Sequence, residues 1–199
     1  MIKNRLLSLV AVTAVALVAM AAGRSYFSRQ EMGPQPTKEH QHLMKGVGDW
    51  EGTMTMFGMG PEPMKSEAHE TVEAIGGFWL ISRFRCDFAG TPFEGSAVTG
   101  YDPKKKKYVG TWIDSMSNYI TVMEGDFDEA TRTLTMHFMG PHPQTQEPTK
   151  HRIVSRYGDD DYKSEFFVGE GDEAFKSMTL EMRRKPAPAG EKAEEKGSR

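Results

Sequence analysis

Cysteine is almost missing from this 199-residue chain, which has one, Cys86. A single cysteine excludes an intrachain disulfide, so the fold must rest on a hydrophobic core, and a chain of this length can bury one. Concentrated positive charge is missing too. The formal charge is −3, from 25 Lys and Arg against 28 Asp and Glu. Nucleic-acid recognition needs clustered bases, so no nucleic-acid partner is expected. The one basic run, Lys104–Lys107, follows Asp102-Pro103 and reads as a turn tip held in water. No His-x-x-x-His or His-Glu-x-x-His pattern is present, no Gly-x-Ser-x-Gly nucleophile turn and no phosphate-binding glycine loop. Neither a catalytic residue, a metal ligand nor a cofactor is therefore assigned. Long amphipathic helices are absent as well.

The exception to the scarcity of apolar runs is the N-terminus. Lys3 and Arg5 precede seventeen uncharged residues, Leu6–Ala22. Ala19-Met20-Ala21 fits the small-x-small pattern of a signal-peptide cleavage site, so residues 1–22 are predicted to be a secretion signal cut after Ala21. Its loss removes two bases and no acid, taking −3 to −5. The expected location is periplasmic or secreted. The alternative is an uncleaved membrane anchor at residues 6–22, since seventeen residues is the bottom of the spanning range. That segment is the one membrane contact expected. Residues 23–37 hold Pro34 and Pro36 and read as a linker. Residues 185–199, KPAPAGEKAEEKGSR, lack large apolar side chains and read as a disordered tail.

Between these ends, at 38–184, one domain is expected. KEHQHLMK, residues 38–45, can form a short helix, with Thr37 as N-cap and Gly46 as stop. From Trp50 onward the sequence alternates with period two, punctuated by Gly, Pro, Asp and Asn. Strands are predicted at 50–57, 66–75, 78–88, 94–101, 107–115, 118–125, 132–139, 149–157, 161–168 and 175–184. The short connections favour an all-β, antiparallel up-and-down barrel of about ten strands, capped by the short N-terminal helix. In the first strand Trp50, Gly52, Met54 and Met56 share the apolar face. In the last strand Met178, Leu180, Met182 and Arg184 share one. Barrel closure makes these strands neighbours, so the Arg184 guanidinium is expected on the Trp50 indole.

Gly48-Asp49-Trp50 resembles the Gly-x-Trp signature that opens lipocalin-like (calycin) barrels, and Arg184 resembles its companion. The stretches EHQHLMKGVGDWEG, GGFWL, GTPFEG, TGYDPKKKKYVGTWIDS and YITVMEGDFDEATRTLT resemble the bacterial family called domain of unknown function 1579, over about residues 38–184. The resemblance implies a calycin-like barrel with a central cavity for a small ligand, and no specific activity.

By alternation, the residues expected to line that cavity are Met54, Met56, Phe84, Tyr108, Trp112, Asp114, Tyr119, Met123 and Met136. Most are apolar, as ligand-pocket walls are. The expected role is non-covalent binding of a small, largely apolar molecule. Three alternatives stay open. Asp114 could act as a general base in the cavity, if it is desolvated there; otherwise it sits at the rim and caps the turn at 115–118. The fourteen methionines, among them Met54, Met56, Met59, Met64, Met136 and Met139, could bind Cu(I) through soft thioethers or simply fill gaps in the core. Some calycin relatives bind haem through one histidine, but none of the six histidines stands out as that ligand. A filled barrel serving an envelope interaction is the remaining class. Cys86, in GFWLISRFRCDF, is expected to be buried and unreactive.

Overall fold

The computed structural model describes residues 33–186. The expected signal segment, and most of the expected linker and tail, lie outside the described residues. Chain contacts divide the protein into two units, Met1–Gln35 and Pro36–Arg199, and the second holds the barrel. No helix among the described residues is long and apolar enough to cross a membrane.

One helix, α1 (Lys38–Met44), precedes ten strands: β1 (Gly48–Met56), β2 (Met64–Ile75), β3 (Trp79–Phe88), β4 (Thr91–Asp102), β5 (Lys107–Asp114), β6 (Thr121–Asp128), β7 (Thr133–Pro141), β8 (Pro148–Tyr157), β9 (Asp161–Val168) and β10 (Phe175–Arg184). Every neighbouring pair is antiparallel, and β1 pairs with β10 to close the barrel. Closure leaves no unpaired sheet edge. The sheet follows the alternation in the sequence. Trp50 and Met54 of β1 are buried while Glu51 and Thr53 lie on the outer face. Trp50 faces Arg184, Gly52 faces Met182 and Met54 faces Leu180 across the closing seam.

Two apolar clusters fill much of the interior. Trp50, Met54, Ala68, Val72, Phe84, Leu180 and Met182 form one, and Leu43, Tyr108, Leu134 and Met136 the other. The second includes α1, which lies across one end of the barrel. Leu43 packs onto Tyr108 and Leu134 there. His40 is buried edge-on to Phe78 and Tyr101, and His42 packs on Phe127. His40 also starts the helix: its Nδ1 accepts the Thr37 N–H at 3.1 Å, and its Nε2 meets the Tyr101 carbonyl at 3.1 Å. A helix of seven residues is too short to be stable by itself, so these contacts hold it.

The exit of α1 is tied to the closing seam by Arg184. Its guanidinium carbon lies 4.2 Å from the centre of the Trp50 ring. Nη1 donates to the Val47 carbonyl at 2.6 Å, Nη2 to the Lys45 carbonyl at 2.7 Å and Nε to Asp160 at 3.2 Å. The Trp50 indole N–H donates to the Gly46 carbonyl at 3.0 Å. Carbonyls at a helix exit have no partner within the helix, and here an arginine and a tryptophan supply them. Gly48 is needed twice over. Its φ of +138° is open chiefly to glycine, and a Cβ there would lie 2.6 Å from Arg184 Nη1.

The structure moves one predicted strand. β6 begins at Thr121, not at 118. Asp114 accepts the Met116 N–H at 2.9 Å and the Ser117 hydroxyl at 3.1 Å, and this side-chain-capped turn competes with strand geometry. Met116, Tyr119 and Ile120 consequently lie in an exposed loop.

Arg184→Ala should lower unfolding stability in urea by about 2–3 kcal/mol, the scale of charge-assisted hydrogen bonds plus a cation–π contact. Gly48→Ala should cost less in the Arg184→Ala background than in the wild type, because the guanidinium no longer occupies the Cβ position. Additive costs in the double-mutant cycle would show that Gly48 and Arg184 do not act together.

Candidate functional site

The barrel has two unlike ends. One is covered by α1. At the other, where β1 and β9 end and β8 and β10 begin, lies a cavity of about 290 Å³. Its walls include Met56, Phe138, Phe166, Val168 and Met178 from the strands and Met59 from the β1–β2 connection. Strand register explains the set. Phe138 pairs with His151, His151 with Val168, and Met178 with Phe166, so these side chains share the inner face. A slip in the ladder between Lys176 and Met178 bends β10 where it borders the cavity.

Gln144, Arg152 and Ser177 also line the cavity, and among its polar residues His151 shares the inner face with Phe138 and Val168. Its ring stacks on Phe138, with centroids 4.8 Å apart and planes 16° from parallel. Its Nε2 is buried with no hydrogen-bond partner, alone in this among the buried side-chain nitrogens and oxygens of the described residues. A Cβ on Gly140 would lie 3.1 Å from that nitrogen, so the glycine leaves room for the imidazole. Burial pushes the His151 pKa below its usual value, against an opposing pull from the Pro141 and Gly140 backbone.

Deeper, towards the α1 end, the interior holds a polar cluster. Glu70 faces Trp50 and Phe84 across its two ladders and so points inward. Its carboxylate accepts the Tyr162 hydroxyl at 2.5 Å and the Ser82 hydroxyl. Burial, with the Glu70 charge adding to it, holds Tyr162 well above the usual tyrosine pKa. The same causes push Tyr157 up to about 12. Both phenols are therefore protonated, and Tyr162 donates to Glu70. Ser155 and Ser164 pair through their hydroxyls at 2.7 Å, so this belt satisfies itself, as buried polar groups must.

The residues expected to line the cavity fall into four groups. Met56 does line it. Met54, Phe84, Tyr108 and Met136 are buried within the two clusters, and Trp112 and Met123 pack half-buried against them. Asp114 lies at the rim, where it accepts the Trp112 indole N–H at 2.9 Å besides its two turn donors. Both of its oxygens are occupied by its own strand and turn, which removes the basis for a general base. Tyr119 corrects the expectation: it lies outside β6 and is 46% exposed. The Trp112 indole lies over Gly95, which pairs with Asp114 in the ladder; a Cβ on Gly95 would lie 2.2 Å from the indole.

Sequence reasoning passed over Glu70, His151 and Tyr162, although the signal was available. Ala68-x-Glu70-x-Val72, His151-x-Ile153-x-Ser155 and Tyr162-x-Ser164-x-Phe166 each alternate onto the inner face. Cys86 is half-buried beside Met54, sulfur to sulfur 4.0 Å. Burial, helped by Asp87, raises its thiol pKa, the setting of an unreactive cysteine. No three His, Cys, Asp or Glu side chains converge as metal ligands among the described residues.

Residues 35–184 match the family model described as "Protein of unknown function (DUF1579)". This chain belongs to that family. The match covers the whole barrel and α1, so the DUF1579 domain and the closed barrel are the same unit. The crystal structure of Rv2717c from M. tuberculosis is similar at a TM-score of 0.58 and 11% identity, covering 76% of this chain and 100% of that one. At that identity the likeness is one of fold alone. No functionally curated protein matches the DUF1579 chain.

Burial also lowers the pKa of His42. Folded rings that resist protonation let the unfolded chain bind protons first. Stability should therefore be full above the ordinary histidine value of about 6.5 and decline as pH falls below it. His151→Gln should flatten the slope of urea midpoint against pH between about 7.5 and 5. An unchanged slope would mean that His151 titrates as it does in the unfolded chain.

Proposed function

We propose that this DUF1579 protein binds a small, largely apolar molecule, non-covalently, at the uncovered end of its barrel. The observation that carries the reading is the cavity of about 290 Å³ walled by Met56, Phe138, Phe166, Val168 and Met178. Its volume falls just short of the ~300 Å³ at which ligand pockets begin, so the ligand is small. Apolar walls reward burial of apolar surface by roughly 25 cal/mol per Å². The Arg184–Trp50 stack supports kinship with calycin barrels. The signal pattern at residues 1–22 supports export to the periplasm or beyond, so the ligand would be met outside the cytoplasm.

The neutral fluorophore N-phenyl-1-naphthylamine tests this reading. Saturable binding with enhanced emission is expected, weakened at least about tenfold by Met178→Trp, which fills the cavity; a loss of that size corresponds to about 1.4 kcal/mol. Absence of saturable binding, or indifference to Met178→Trp in a folded variant, would refute it.

A second reading has its own support. Met56, Met59 and Met178 line the same cavity as His151, and thioethers with a neutral imidazole suit Cu(I). Competition with a Cu(I) chelator should then give a one-to-one complex that Met56→Leu weakens. No metal uptake against the chelator would dismiss it.

A further inference from the structure

We propose that the ligand of this cavity is an uncharged molecule with an apolar body and a single hydroxyl head, and that His151 binds the head. The inference rests on the apolar-ligand reading and adds the chemistry of the ligand's polar end.

His151 Nε2 has no partner although it is buried. Leaving a buried polar atom unpaired is costly, and buried polar groups in native proteins are paired with few exceptions. Polar side chains deeper in the barrel have partners. Ser155 and Ser164 pair with each other, and Ser82 and Tyr162 both serve Glu70. The exception falls on a residue that lines the cavity. Gly140 gives the ring its space, since a Cβ there would press on Nε2. The stack on Phe138 fixes the plane of the ring. A half-turn about Cβ–Cγ exchanges Nε2 with Cε1 and keeps that stack, so the nitrogen can be re-aimed without disturbing its packing.

The head group follows from the state of the ring. Burial favours the neutral imidazole, which offers one donor and one acceptor. A hydroxyl serves Nε2 in either tautomer, accepting from its N–H or donating to its lone pair. A carboxylate would need a cation at the inner wall. Arg152 lines the cavity as well, but it alternates with His151 and Ile153 of the inner face, and its guanidinium is engaged over the Phe167 ring, 4.5 Å from the centre. The cavity walls carry no Asp or Glu to receive an ammonium head.

Displacement of N-phenyl-1-naphthylamine by decan-1-ol, its methyl ether and decanoate at pH 7.5 tests the proposal, with direct calorimetry of each compound if the fluorophore fails to bind. In the wild type the alcohol should bind at least about fivefold tighter than the ether and the carboxylate. His151→Phe keeps an aromatic ring for the Phe138 stack and should bring the alcohol and the ether to equal affinity. His151→Gln retains a donor and an acceptor and should keep part of the preference, which also covers the case of a poorly folded His151→Phe. Equal binding of alcohol and ether, a preference for the carboxylate, or a preference that survives in His151→Phe would overturn the role of His151 and leave the apolar-cavity reading standing. Failure of all three compounds and the fluorophore to bind would overturn both.

Discussion

One arginine holds together the three parts on which the barrel depends. Arg184 ends the last strand, stacks on the first residue of the apolar face of β1 and receives the carbonyls at the exit of α1. An up-and-down barrel closes only if its first and last strands meet in register, and in this chain those strands are more than a hundred residues apart. The closing contact therefore carries a large loop-closure cost. The guanidinium answers it at a site where several weak contributions share one rigid, planar group. Lysine, a point charge, could not reach two carbonyls and a ring together. The φ of Gly48 and its missing Cβ are consequences of that placement.

Fastening the seam at the α1 end leaves the other end to differ. The helix, the Trp50 stack and the Glu70–Tyr162–Ser82 belt make the first end dense and internally satisfied. At the far end the ladder slips in β10, a glycine stands beside His151, and a buried nitrogen lacks a partner. Local departures from ideal packing are expected where a protein binds something. Their concentration around one cavity is what favours the proposed binding role over a uniformly filled barrel.

The architecture was legible in the chain because a strand with one buried face writes its orientation into every second residue. All ten strands appear as alternation, and Trp50 and Arg184 could be paired from topology before any distance was known. What alternation could not supply is depth along the barrel axis. Met54, Phe84, Tyr108 and Met136 point inward as expected, yet they are core. The cavity sits instead among Phe138, His151, Phe166 and Met178. Nor does local pattern reveal partners far apart in sequence: Glu70 and Tyr162 are 92 residues apart and meet only across the closed seam. Tyr119 failed for a third reason. Asp114 organises its own turn with side-chain hydrogen bonds, and that chemistry overrode the strand pattern that follows it.

Native mass spectrometry of the protein purified from its own host, without detergent or chelator, bears most directly on the cavity. The account predicts a fraction of molecules carrying one small organic adduct, released by organic solvent, uncharged and bearing a hydroxyl. A population at the bare polypeptide mass, unchanged after incubation with apolar extracts of the same cells, would contradict it.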